Sequence, residues 1–198
     1  MNNGILDDLI DALKILPNIG SKSAQRIAYQ LMQYDKEGAR ILIKALDKAL
    51  KNINNCKLCN TFCEHDYCNI CSDLTRNHNR LMIVQMPIDI DIIESANCHD
   101  GLYFVLMGQI QPLNNKDIKQ SIAIEKLIQR VKKDSIDEII IATNFTYEGE
   151  ATAYIIQELF KDCEFKVSRL AMGMPVGGEL EYIDLGTIAQ SFYDRKII

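Results

Sequence analysis

The stretch Cys56-Lys57-Leu58-Cys59 is followed, after eight residues, by Cys68-Asn69-Ile70-Cys71. A C-x-x-C turn brings two thiolates to one side of a tight loop. Two such turns facing each other offer four sulfurs at the corners of a tetrahedron, a donor set that suits zinc. The connecting loop is shorter than in many zinc ribbons, so the unit is expected to be a compact knob. Two alternatives stay open. Cys63 and His65 lie inside the loop and allow a set of three cysteines plus His65. The cysteines could also form two disulfides, but the chain holds seven of them, an odd number, and no secretory signal precedes the motif. Four thiolates leave no open coordination position, so one structural Zn²⁺ per chain is expected.

Around this knob, composition sets limits. In 198 residues the apolar share is 47% and the charged share 25%, as in an ordinary globular protein with room for one or two cores. Met1-Asn2-Asn3-Gly4 and the acidic amphipathic segment after it are unlike a signal peptide. No apolar run reaches membrane-spanning length, and a reducing cytoplasm is the expected location. The net charge of −5 argues at face value against a nucleic-acid partner. Its distribution argues the other way. Between Lys14 and Lys51 stand eight basic residues (Lys14, Lys22, Arg26, Lys36, Arg40, Lys44, Lys48, Lys51) against three acids (Asp35, Glu37, Asp47), a local balance of +5 that leaves −10 for the rest.

Before the knob the chain reads as three helices. Ile5, Leu6, Leu9, Ile10 and Leu13 have helical spacing, and Pro17 ends that helix near Leu16. Pro17-Asn18-Ile19-Gly20 is a turn in which Gly20 is free to take a positive φ. Ser21 can cap the next helix, which carries Ala24, Ile27, Ala28 and Leu31. Asp35 caps a long third helix with a stripe of Ala39, Leu42, Ile43, Leu46, Leu50 and Ile53. After Cys71 strands and helices alternate: strands at Leu81–Val84, Tyr103–Met107, Ile139–Ala142 and Phe165–Leu170, and helices over 88–95, 117–133 and 149–160. That order predicts a parallel sheet covered on both faces. Asp184 opens a terminal helix. The expected parts are residues 1–55, helical; 56–71, the metal knob; 79–175, an α/β domain; and 176–198, a C-terminal segment.

Three stretches could carry chemistry. Leu16-Pro17-Asn18-Ile19-Gly20-Ser21-Lys22-Ser23-Ala24 resembles a helix-hairpin-helix element, with Asn18 where glycine is usual. Such a hairpin turns backbone N–H groups at a helix start toward a phosphate and reads no base. Lys22 and Arg26, four apart, can follow the same phosphate track. The plainer reading is a helical hairpin with a solvated basic face. Next, Ala142-Thr143-Asn144 and Glu148-Gly149-Glu150 follow the third strand of the sheet, where ligands of open α/β sheets bind. Glu148 and Glu150 could share a divalent cation, or merely complement the helix dipole. Last, Ala171-Met172-Gly173-Met174-Pro175-Val176-Gly177-Gly178 lacks the Gly-Lys-Ser/Thr of a P-loop. Its glycines suggest backbone packed closely against something.

Together these pieces, in this order, resemble the bacterial recombination mediators of the RecR family. The C-x-x-C pair, the Ala142–Ala153 stretch and the run from Arg169 to Gly178 carry the resemblance. It implies a helix-hairpin-helix, a four-cysteine zinc finger (Cys56, Cys59, Cys68, Cys71), a Toprim domain and a C-terminal helix. It also implies a homotetrameric ring held by N- and C-terminal contacts, with Lys22 and Arg26 near DNA in its lumen. A partner of the RecO type would dock around Glu148 and Glu150, and the chain would act with RecO- and RecF-type proteins to load RecA at single-stranded gaps.

One departure bears on activity. Catalytic Toprim domains pair a Glu at the end of the first strand with two acids after the third. The matching position here is Gln85, which can neither bear a negative charge nor exchange a proton. A non-enzymatic clamp is therefore expected over a Mg²⁺-dependent nuclease or primase-like enzyme, which would need a third acid such as Asp89 or Asp91. Phe104, where the family often has His, is a smaller departure. A scaffold that only holds partners together is the third reading.

Overall fold

The computed structural model describes residues 4–110 and 123–195. Packing divides the chain into two units, Met1–Ile53 and Asn54–Ile198. In the first, α1 (Ile5–Leu13), α2 (Ser21–Gln33) and α3 (Lys36–Asn52) follow one another. Ala24 and Ala28, fully buried, let α2 approach its neighbours closely. The helix starts differ from expectation at one residue. Asp35 caps α3 by accepting from Gly38 N–H at 2.7 Å, but the N-cap of α2 is Gly20, and Ser21 is already helical. The positive φ of the hairpin also falls on Asn18 (63°), while Gly20 sits at −82°. Asn pays little for the left-handed region, which is why the hairpin closes without a glycine there. Helix α1 stops at Leu13, short of Leu16, because the bonds from Lys14, Ile15 and Leu16 reach back only three residues, winding the end into a tighter turn.

The second unit opens with the knob: β1 (Asn54–Asn55) antiparallel to β2 (Phe62–Cys63), then α4 (Asn69–Ser72). The sheet follows, with β3 (Asn77–Val84), β4 (Gly101–Val105), β5 (Glu138–Ala142) and β6 (Lys166–Arg169) in the order β4-β3-β5-β6, all parallel. Among the described residues three helices join them: α5 (Pro87–Ser95), α6 (Ile124–Lys133) and α7 (Tyr147–Phe160). The part of the expected 117–133 helix before residue 123 lies outside the described residues.

The predicted two-faced core is present. Leu81, Ile83, Leu102, Phe104, Ile139 and Ile141 face α6 and α7 through Leu127, Val131, Ala153, Ile156 and Phe160. Met82, Val84, Tyr103 and Val105 face Ile90 of α5. Period-2 side-chain alternation thus splits each buried strand between the two layers. Arg76 pins the α5 edge: its guanidinium donates to both oxygens of Glu94 (2.6 and 2.8 Å) and to the Gly101 carbonyl (2.8 Å).

Beyond β6, Gly178 N–H bonds the Pro175 carbonyl at 3.1 Å. Gly177 at φ 80° takes the position where a type II turn needs a positive φ. The expected close packing holds at Gly178, where a Cβ would lie 3.0 Å from Pro175 Cγ and 3.4 Å from Ile183 Cδ1, but not at Gly173 or Gly177, where it would meet nothing within 4 Å. A 3₁₀ turn (Leu180–Tyr182) leads to α8 (Leu185–Tyr193), capped by Asp184 accepting from Thr187 N–H at 2.9 Å. Among the described residues no helix is long and apolar enough to cross a membrane.

Candidate metal centre and nucleic-acid interface

The two knuckles bring Cys56, Cys59, Cys68 and Cys71 together, their sulfurs all within 4.8 Å of one another. Cys59 Sγ and Cys68 Sγ are 3.5 Å apart. Backbone amides point at the cage: Cys68 N–H toward Cys56 Sγ (3.4 Å) and Cys71 N–H toward Cys68 Sγ (3.5 Å). Cys56, Cys59 and Cys71 are buried and Cys68 partly so. Without a cation this set cannot ionise fully. The bond with Cys56, then the other sulfurs and burial, hold the thiol of Cys59 above its ordinary pKa, while Cys56 is lowered by the hydrogen bond from Cys59. A bound cation would stabilise all four thiolates at once. The four cysteines are thus positioned to bind a metal ion.

Neither alternative reading of this stretch survives. His65 and Cys63 stay out of the cage, and Cys63 donates instead to the His65 carbonyl at 2.8 Å. All seven cysteines are free thiols.

The knob is not a free appendage. Val105 N–H donates to the Cys59 carbonyl (2.8 Å), and Asn60 Nδ2 donates back to the Val105 carbonyl (2.9 Å). The outer side of β4, an edge strand, is thereby occupied at Val105 by the first knuckle. Asn60, buried and at φ 65°, is the hinge of that contact, and sequence reasoning passed over it. The signal available was an Asn directly after a C-x-x-C turn, where a left-handed residue is needed.

The crevice between the carboxyl ends of β3 and β5 is the point where strand order reverses. Gln85 fills it. Only 3% exposed, it accepts from Asn144 N–H (3.0 Å) and donates to Gln109 Oε1 (3.1 Å). Both ends of its amide are satisfied. Asp89 caps α5, accepting from Met86 N–H (2.7 Å) and Gln85 N–H (3.1 Å). Asp91 is exposed on the same helix.

Glu148 and Glu150 lie in the first turn of α7, where the N-cap Thr146 accepts from Gly149 N–H at 3.2 Å. Glu150 is held by both terminal nitrogens of Arg169 (2.5 and 2.7 Å), whose guanidinium stacks 4.7 Å from the Phe145 ring centre. Glu148 is half-buried. Among the described residues no set of three His, Cys, Asp or Glu ligands converges here; the one such set is the cysteine cage. Arg169 was visible in sequence only as part of a signature. Its pairing with Glu150 requires knowing that β6 lies beside β5.

On α2, Lys22 and Arg26 are exposed and one turn apart. Neither has an ion pair or hydrogen bond among the described residues, whereas Lys14, Arg40 and Lys51 are paired with Asp11, Glu37 and Asp47. No side chain caps the first turn of α2, which leaves its leading amides open to an anion.

Three family models match in series: the RecR helix-hairpin-helix at residues 6–50, the Toprim domain at 79–171 and the RecR C-terminal region at 173–196. Recombination protein RecR of Neisseria meningitidis serogroup C is 56% identical over 190 residues, 96% of this chain and 92% of its own. The protein of that name from Chromobacterium violaceum is 52% identical over 195 residues, 98% of each chain. The chain belongs to the RecR family. As a RecR chain it combines a helix-hairpin-helix, four clustered cysteines and a Toprim sheet, the architecture that the resemblance implied. Against the Toprim acid pattern, this RecR chain has a neutral amide at the switch point and an arginine-neutralised carboxylate beside it.

Proposed function

We propose that this chain is a recombination mediator in DNA repair that grips the DNA backbone and cuts nothing. In this reading residues 1–55 hold DNA through Lys22 and Arg26. Residues 56–71 form a C4 finger stapled by one Zn²⁺. Residues 79–175 dock partners of the RecO and RecF type around Glu148 and Glu150, for loading RecA at single-stranded gaps, and 176–198 help close a homotetramer in the cytoplasm. Zinc fits the cage because Zn–S bonds of about 2.3 Å set tetrahedral sulfurs roughly 3.8 Å apart, and the Cys59 and Cys68 sulfurs stand 3.5 Å apart, with all four within 4.8 Å of one another. Bound there, the ion would supply rigidity and no reacting group.

The observation that carries the non-enzymatic reading is Gln85. Toprim catalysis needs a carboxylate where this amide is buried and hydrogen-bonded at both ends. Magnesium held by Glu148 alone, with Glu150 engaged by Arg169, would lack the charge that phosphoryl transfer requires.

The test is DNA binding against salt, paired with plasmid nicking in Mg²⁺ or Mn²⁺. If each subunit of a tetramer neutralises two phosphates, on the order of eight are engaged, and affinity should fall by roughly three to five powers of ten between 50 and 200 mM salt. Lys22→Ala with Arg26→Ala should flatten that slope. An unchanged slope would remove both residues from the interface, and nicking that disappears in Glu148→Gln would replace the clamp with an enzyme.

A further inference from the structure

A second charged site is built from residues that belong neither to the hairpin nor to the switch point. The first knuckle and α6 enclose a cavity of about 430 Å³ whose lining includes Lys57, Asn60, Lys126, Arg130, Lys133 and, as its apolar wall, Phe104. Among the described residues four cations line the space and no carboxylate does. Two acids border it: Asp66 pairs with Lys57 at 2.7 Å, and Asp134 pairs with Arg130 Nε. Lys126 spends one N–H on the neutral Asn60 Oδ1 (3.1 Å). Lys133 has no ion pair among the described residues.

Arg130 is the decisive residue. It is 6% exposed, and its Nη1 is buried with no hydrogen-bond partner among the described residues. Buried guanidinium nitrogens are normally satisfied, so an unpartnered one on a residue that lines the cavity leaves a place for an acceptor.

The cations are also badly placed for anything but an anion. Lys126, Arg130 and Lys133 fall on one stripe of α6, at spacings of four and three, where like charges repel. A last-turn position complements the helix dipole for Arg130 and Lys133, but Lys126 sits in the first turn, at the positive end. The dipole therefore does not explain the stripe. A planar guanidinium beside mobile ammonium groups matches the oxygens of a phosphate.

We propose that this cavity binds a phosphate group, either a diester of a DNA strand or the phosphate chain of a free nucleotide. Arg130 would take two of its oxygens, Lys126 and Lys133 would close over it, and Phe104 would keep the floor dry. The site stands independently of Lys22 and Arg26.

The experiment is calorimetric titration of the full-length, metal-loaded protein at low salt with three probes: inorganic pyrophosphate, ATP, and an oligodeoxynucleotide without terminal phosphates. The Arg130 Nε–Hε resonance is followed in parallel. Pyrophosphate should bind and shift that resonance. Its affinity should drop about tenfold or more in Lys126→Ala with Lys133→Ala, two exposed positions whose truncation leaves the core intact, and stay unchanged in Lys22→Ala with Arg26→Ala. ATP binding at the same site assigns it to nucleotides; displacement of pyrophosphate by the oligonucleotide assigns it to the strand backbone. No response to millimolar pyrophosphate, or equal affinity in the Lys126/Lys133 variant, overturns the proposal, whatever the hairpin variants do to DNA binding.

Discussion

Gly149 shows how far a single position can constrain the crevice. A Cβ built there would lie 2.0 Å from the Asn144 carbonyl oxygen, in the turn whose N–H is held by Gln85. Gly149→Ala must push that turn off Gln85, and should cost about 1–3 kcal/mol, read as a lower melting temperature with the secondary-structure content unchanged. His99 gives a second residue-scale test. Burial lowers its pKa below the ordinary 6.5, and its ring packs edge-on to Tyr103 at 4.9 Å. The folded protein therefore binds a proton at this ring less readily than the unfolded chain does. Stability is full above about pH 6.5 and falls as pH drops through that value. Glu94 is lowered as well, by the Arg76 hydrogen bond, and its contribution is also lost on acidification, but only at still lower pH, below its ordinary 4.5. Melting at about pH 7.5 and about pH 5.5 should differ in the native sequence and differ less in His99→Gln. Equal differences would show that His99 is not the group responsible.

At the scale of elements, the knob and β4 stand or fall together. Cys56→Ser or Cys68→Ser should lower zinc content and melting temperature in step, because metal binding is coupled to folding. Cys63→Ser, Cys98→Ser and Cys163→Ser should leave the stoichiometry at one ion, since Cys63 points at a carbonyl and the other two are exposed. Most elements were legible in the sequence for simple reasons. Strands β3, β4 and β5 carry short apolar runs, and Asp35 and Asp184 announce their helices. The element ends were less legible. Met107 falls at φ 60°, beyond the end of β4, which stops at Val105. The two-residue strands β1 and β2 carry too little pattern to be seen. Of the candidate site, the ligand cage was readable from spacing alone. Arg169 with Glu150 and Asn60 with Val105 were not, because each joins residues whose proximity exists only once strands are in register.

For the whole molecule, the apolar surface left uncovered is the informative quantity. Val176 is fully exposed, and Leu180, Tyr182, Leu185, Phe192 and Tyr193 are all more than 60% exposed. The described residues leave them uncovered, and exposed apolar side chains in this number are what assembly with another chain would bury. Light scattering should give a mass several times the 22.5 kDa of one chain, and Leu185→Asp with Phe192→Asp should reduce it. A mass of one chain at micromolar concentration would refute assembly, and with it the estimate of eight phosphates.

The hydrogen bonds joining Val105 to Cys59 and Asn60 have a consequence for how such a molecule fails. They close the flank of a strand that could otherwise recruit a stranger's backbone. With a metal ion in the cage, an oxidant or chelator that strips it would slacken the first knuckle and bare that flank. Damage to four thiols would then surface as clumping of the protein, well before its helices melt.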